Sequence, residues 1–318
     1  MNRGPVSVVI PSLLRPELPE AVASVRAQQG VESIEIVIAV DRDESECTEV
    51  ELQRLDGADT VVFTGGGKRG GFARNLAVRH STGTWIAFLD DDDTWLPGKI
   101  EAQLRNATSD EAGARTVYST RVVQSVRGSG VVSRPVPEVT IVPGQRVEDY
   151  LFRRRRPSLG RAGIFTSTLF MSRVLASSVP WDESLSRHQD WDWLARLQRD
   201  GDAQFRQLDI AGSTIWMGSA GSISASADWR QSLSWARSQR DDWAPGTYVD
   251  FVAGQSLRYS TQARSWKGAW SCAREIARAR RVPSLGPAML GIGGLVPRDL
   301  VLGVILRRPG RNAATTAS

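Results

Sequence analysis

The chain has 318 residues, a hydrophobic fraction of 41% and a formal net charge of +5, with a pI of about 9.7 carried almost wholly by arginine. That length suits one large α/β domain with a smaller addition, or two modest domains. The cationic balance favours nucleotides, lipid phosphates or membrane surfaces as partners, and no zinc-finger, helix-turn-helix or RNA-recognition motif points to nucleic acid.

Val6 to Ile10, closed by Pro11-Ser12, reads as a buried strand, and Met1 to Pro5 leads straight into it without a secretory signal. Leu18, Val22 and Val25 recur at helical spacing, with Gly30 as the stop. Ile34 to Val40 is a second apolar run and ends at Asp41. Thr60 to Phe63 is a third, which enters the glycine-rich Gly65 to Gly71. A helix through Ala73, Leu76 and Ala77 follows, and the fourth strand, Trp85 to Leu89, stops at Asp90 to Asp93. Alternating strands and helices predict a doubly wound, mostly parallel α/β sheet. In such sheets ligands bind beyond the carboxyl ends of the strands, where Ser12, Asp41 and Asp90 to Asp93 all lie.

Further on, Thr116 to Val126 reads as a longer strand, 127 to 147 as a hairpin or loop, and Ile164 to Met171 as another strand. Gln189 to Arg199 reads as a helix. From Asp228 the chain is predicted to be mainly helical, with Trp229, Trp235, Trp266 and Trp270 in a helical core rather than on a sugar-stacking surface. Cys47 and Cys272 have no CxxC spacing, which argues against a disulfide framework or a zinc site and fits a reducing cytoplasm. His80 and His188 are the only histidines, so histidine-based chemistry has little to draw on.

Phe88 to Pro97 (FLDDDDTWLP) is the most informative stretch. Four adjacent carboxylates repel one another and call for a cation. Mg²⁺ and Mn²⁺ take such oxygens, usually one or two carboxylates with substrate phosphates. The plainer alternative is a solvated turn in which Asp93 or Thr94 caps the next helix.

VSVVIPSLLR (6–15), Glu35 to Asp41, Ala73-Arg74-Asn75, Phe88 to Pro97 and His188-Gln189-Asp190-Trp191 stand in the order found in family 2 glycosyltransferases, which the chain resembles. The resemblance implies a GT-A fold, with a catalytic domain over 1–215 (a nucleotide-sugar half, 1–115, and an acceptor half, 116–215) and a helical extension over 216–318. It implies inverting transfer from a nucleotide-diphosphate sugar, uridine being the favoured base, to a hydroxyl-bearing glycan or glycolipid. Pro11, Ser12 and Arg15 match the motif bordering the nucleotide. Asp41 matches an aspartate on the base, although Val40 replaces its usual acidic neighbour. Arg74 matches an arginine near base and diphosphate. Asp90 and Asp91 match residues facing ribose and metal, and Asp92 the principal ligand, so that Mn²⁺ or Mg²⁺ is expected on Asp92 and Asp90. Asp190 matches the general base, with Gln189 where glutamate is common.

Gly65 to Gly71 fails as a P-loop, because Lys68 is followed by Arg69 rather than serine or threonine. It remains a loop whose cations could approach phosphate, or a plain surface loop. Arg153 to Arg156, and the apolar 286–306 stretch flanked by Arg307 and Arg308, suggest peripheral membrane contact, with a solvated basic face and a packed helix as the alternatives. The expected location is the cytoplasm, at the inner face of the plasma membrane if these segments touch lipid. A sugar-phosphate nucleotidyltransferase would carry a glycine-rich loop after the first strand, where this chain has Leu13-Leu14-Arg15. A non-catalytic sugar-nucleotide binder would lack Asp92 or Asp190, and both are present.

Overall fold

The computed structural model describes residues 4–110, 112–153, 160–217 and 227–295. Two compact units emerge. One comprises Met1–Arg127, Pro135–Val147 and Ala162–Met217; the other comprises Gly128–Arg134, Glu148–Arg161 and Gly218–Ser318.

The first unit is built on one eight-stranded sheet. In chain order the strands are β1 (Val6–Ser12), β2 (Ile34–Val40), β3 (Thr60–Phe63), β4 (Trp85–Phe88), β5 (Thr94–Trp95), β6 (Thr116–Ser125), β7 (Phe170–Ser172) and β8 (Gln204–Trp216). Their spatial order is β3-β2-β1-β4-β7-β6-β8-β5. β1 runs parallel to β2 and β4, β2 to β3, and β6 to β8; β7 is antiparallel to both its neighbours, as β5 is to β8. The sheet is therefore mixed and mostly parallel, as expected. Val6, Val8, Val9 and Ile10 of β1 and Ile36 to Val40 of β2 are fully buried, as an unbroken apolar run in a strand covered on both faces requires. The helix α1 (Leu18–Arg26) buries Leu18, Ala21, Val22 and Val25 on that layer. Then come α2 (Glu49–Leu52), α3 (Arg69–His80), α4 (Lys99–Ser109), α5 (Val147–Phe152), α6 (Arg173–Ser178) and α7 (Gln189–Asp200).

Two expectations need correction, and one strand had no counterpart among them. Ile164 to Met171 is not one strand: Thr166–Thr168 form a 3₁₀ turn and only Phe170–Ser172 pairs in the sheet. The buried Ser167 side chain is held by polar groups at the strand end, which bends the backbone there. Asp93 and Thr94 do not cap the next helix, because the N-cap of α4 is Gly98, whose φ of 79° suits glycine. β8 was not legible as a strand, since its polar sequence (QFRQLDIAGSTIW) forms a ladder only because β6 lies beside it.

The second unit, beyond its share of α5, is helical: α8 (Trp229–Ser238), α9 (Pro245–Phe251), a π-helical turn (Val252–Leu257), α10 (Arg258–Gln262), α11 (Trp266–Arg278) and α12 (Leu285–Gly293). Its core is aromatic. Phe152 and Phe251 meet at 4.9 Å between ring centroids, and Trp235 and Trp243 at 5.3 Å. Trp229 and Trp235 are buried as predicted; Trp266 and Trp270 are not, being 89% and 72% exposed. Among the described residues no helix is long and apolar enough to cross a membrane. Arg154 to Arg156 and residues 296–306, on which the expectation of membrane contact partly rested, lie outside the described residues.

Candidate active site

The carboxyl ends of β1 and β4 are adjacent because the two strands pair directly, Val9 opposite Phe88. β1 ends in Ser12 and β4 runs into the four aspartates, so a hydroxyl and four carboxylates meet at one sheet edge. Asp91 is buried and takes three protein donors: the Ser12 hydroxyl at 2.8 Å, the Leu13 amide at 3.0 Å and Arg15 Nη1 at 2.9 Å. Burial raises its pKa, while Arg15 and these donors oppose the rise. Arg15 also reaches Asp92 Oδ2 at 3.1 Å. One arginine thus balances two neighbouring carboxylates, which repel each other less for its presence. Pro11, half-buried opposite Ala39, shapes the strand end and brings no polar group of its own.

Asp93 faces the other way. It is buried, accepts from the Ser167 hydroxyl at 2.5 Å and from the Trp216 amide at 3.2 Å, and burial followed by the charge of Asp90 drives its pKa well up. Ser167 in turn accepts from the Asp90 amide at 3.1 Å, and its carbonyl accepts from Trp95 Nε1 at 2.8 Å and from Ser213 at 3.0 Å. Sequence reasoning missed Ser167, for a serine between two threonines in a segment read as a strand carries no signal.

Asp90 is a third exposed at its side chain and pairs with Arg74 Nη2 at 2.6 Å. Arg74 lies in α3, its guanidinium 4.7 Å over the Trp181 ring, and Trp181 stacks on Trp193 at 4.2 Å. The Arg74 Nε is buried without a hydrogen-bond partner. Its neighbour Asn75 holds Trp181 by both backbone groups, Nδ2 donating to the carbonyl at 2.9 Å and Oδ1 accepting from the amide at 2.8 Å. The bare face of Gly71 lets α3 pass close to the 182–189 segment, since a Cβ there would come within 3.3 Å of the Asp182 carbonyl, while one on Gly70 would press on the Arg74 guanidinium at 2.8 Å.

That segment delivers Asp190. It occupies the second position of α7, whose N-cap is His188 in the left-handed region, so Asp190 is not the helix cap. His188 stacks on Trp191 at 4.7 Å, and Gln189 is fixed by a bond from Nε2 to the Leu185 carbonyl. Burial raises the pKa of Asp190; the amides of Trp191 and Asp190 and the charge of Arg74 lower it, and Asp90 raises it again. Arg74 is therefore the electrostatic link between the β4 aspartates and Asp190. Asp192 is occupied differently: it is buried and paired with Arg196 Nε at 2.7 Å.

Asp41 stands apart from this constellation. Its Oδ1 accepts from the Thr64 hydroxyl at 2.5 Å and the Lys68 amide at 2.8 Å, and its Oδ2 from the Arg69 amide at 2.6 Å. Gly65, Gly66 and Gly67 all have positive φ, so this carboxylate closes a left-handed glycine turn onto the start of α3, leaving Lys68 and Arg69 exposed. Among the described residues no three Asp, Glu, His or Cys side chains converge as a metal-binding group.

The Glycosyl transferase family 2 model matches residues 7–176. The amylovoran biosynthesis glycosyltransferase AmsB of Erwinia amylovora is 26% identical over 202 residues, 61% of this chain and 64% of that protein. The UDP-Glc:alpha-D-GlcNAc-diphosphoundecaprenol beta-1,3-glucosyltransferase WfgD of Escherichia coli is 30% identical over 100 residues, 31% of this chain and 39% of that protein. The chain thus spans less than two thirds of the length of either relative. Among solved structures, S. aureus TarS 1-349 in complex with UDP-GlcNAc aligns with a TM-score of 0.54 at 16% identity, over 86% of this chain and 79% of that one. A further S. aureus TarS structure aligns with a TM-score of 0.53 at 15% identity, over 93% and 50%. At that identity the likeness is one of fold.

Proposed function

We propose, from the premise that the chain belongs to glycosyl transferase family 2, that it moves a sugar from a nucleotide-diphosphate sugar to a hydroxyl of a glycan or glycolipid acceptor, with inversion. The fold is of the GT-A type. The observation that carries the reading is the meeting of Asp90, Asp91 and Asp92 with Arg15 and Arg74 at one sheet edge, with Arg74 coupling that edge to Asp190.

Asp91, with three protein donors, holds the β1 loop in place. Asp90 and Asp92 would hold a divalent cation. Two carboxylates on adjoining backbone suit Mg²⁺ or Mn²⁺, which complete their shell with substrate phosphates and need no all-protein cage. Such an ion, when bound, supplies positive charge to the leaving diphosphate. The unpartnered Nε of Arg74 is a charged donor available to the same anion. Asp190 would take the acceptor proton, its raised pKa bringing it nearer to the working pH. One base acting in one displacement gives inversion. UDP is the favoured nucleotide, in keeping with the UDP-GlcNAc complex of TarS. The names of AmsB and WfgD support a growing polysaccharide or a lipid-linked glycan as acceptor.

Calorimetry with a panel of nucleotide sugars tests this directly. One donor should bind in Mn²⁺, and EDTA or Asp92→Asn should weaken that binding about tenfold or more. Affinity unchanged by both treatments would overturn metal assistance; no binding of any nucleotide sugar would overturn sugar transfer itself.

A further inference from the structure

The last two described helices present most of their large apolar side chains outward. α12 rests on the π-helical turn and α10 through its smallest residues. Gly286, Pro287 and Gly291 are buried, and a Cβ on Gly291 would overlap the Ala253 carbonyl oxygen, one on Gly294 the Thr261 hydroxyl. These close approaches fix the rotation of the helix about its axis. Leu285, Met289, Ile292 and Leu295 are consequently 50–64% exposed. α11 follows the same rule, with Gly268, Cys272 and Glu275 inward and Trp266 and Trp270, one turn apart, outward. An ordinary surface helix turns its bulky apolar stripe toward the core, and scattered exposed residues need no explanation, but two tryptophans on α11, three large apolar side chains on α12 and Leu295 just past its end, all outward on helices that pack on the same π-helical turn and α10, call for a cover.

The charge around these residues names the cover. Lys267, Arg274, Arg278, Arg280 and Arg281 are all exposed, whereas the one carboxylate between Leu257 and Leu295, Glu275, is buried and paired with Arg237 and Arg278. A second copy of the chain would bring two equally cationic faces together. Tryptophan with aliphatic side chains, on a stretch of chain whose exposed charges are all lysine and arginine, is the chemistry of the boundary between anionic headgroups and acyl chains. We infer that α11 and α12 form a docking face for an anionic lipid surface, with Trp266, Trp270 and the outward side chains of α12 at the acyl boundary and the cations on the headgroups. Neither helix is long enough to span a bilayer, so the contact is one of lying on the surface.

The inference goes beyond sugar transfer, and its test contains no donor. The full chain is floated with vesicles of phosphatidylcholine alone and of phosphatidylcholine with phosphatidylglycerol, at low and high salt, beside a Trp266→Ala/Trp270→Ala variant. The wild type should float with the anionic vesicles, less so at high salt, with a blue shift of tryptophan emission. The variant, whose exposed positions leave the fold intact by circular dichroism, should bind about tenfold more weakly or worse. Failure of the wild type to float with anionic vesicles at low salt overturns the proposal, whether the face is covered by residues 296–318 or by nothing. Equal flotation of variant and wild type also overturns it. So does a dimer, seen by light scattering without lipid, that the double substitution splits into monomers.

Discussion

The sheet edge at Asp90 to Asp93 and the outer face of α11 and α12 are built on opposite rules. At the sheet edge, charge is gathered and then matched inside the protein: Asp91 and Asp92 by Arg15, Asp90 by Arg74, Asp93 by Ser167 and the Trp216 amide. On the helices, cations outnumber exposed carboxylates and large apolar groups face outward. Buried polar groups are costly unless paired, so their partners must be supplied by the fold and can be found in it. Exposed apolar groups carry no such internal constraint; what meets them is supplied from outside. Removing a side chain should therefore hurt the first region through the protein itself, and the second only through what it binds.

The largest effect is expected from Asp190→Asn, which keeps the shape of the side chain but cannot accept the acceptor proton. Turnover should fall about 10²–10⁴-fold with donor affinity little changed. A base must be ionised to act, and a raised pKa shifts its protonation upward. The wild-type rate should thus fall on acidification at a pH above the ordinary aspartate range, and that limb should vanish in the variant. Stopped-assay pH profiles check both points. Asp192→Asn, two residues along, breaks the buried pair with Arg196 and should cost stability while sparing turnover. Equal turnover in both variants would make Asp190 a structural residue.

Asn75→Ala is expected to come next. It leaves both backbone groups of Trp181 without their partner, and unpaired buried polar groups cost about 1–3 kcal/mol. Urea unfolding should show that loss, with activity falling too because Trp181 lies beneath Arg74. The smallest effect on stability belongs to the Trp266→Ala/Trp270→Ala pair, a shift of no more than about 0.5 kcal/mol per site in the same unfolding assay. A large loss there would mean that these tryptophans belong to a core and would erase the contrast between the regions.

The polar half of this contrast was legible in the sequence. Strand runs such as Val6 to Ile10 and Ile34 to Val40 are continuous and apolar because both sheet faces are covered, and the ends of such runs are where ligands bind. Ser12 and the aspartate run could be named in advance for that reason, Arg15 and Arg74 only through the family resemblance, and the structure gathers them together. Asp41 could be named too, yet its carboxylate proves to close the glycine turn before α3, which depends on a backbone of successive positive φ values that no residue pattern specifies.

By itself, then, the sequence determined the alternation of strands and helices, the mostly parallel character of the sheet, and the carboxylates at its edge, because periodicity and strand ends are local properties. Tertiary structure alone decided the rest. It made β8 a strand by placing β6 beside a polar segment, and made Ser167 a junction by bringing it to Asp93 and the Asp90 amide. It also turned Trp266 and Trp270 out of the core. Hydrophobicity says that a side chain avoids water, but which face of a helix lies against its neighbours was settled by close backbone approach at Gly268, Gly291 and Gly294, where the absence of a side chain admitted contact on that face and no other.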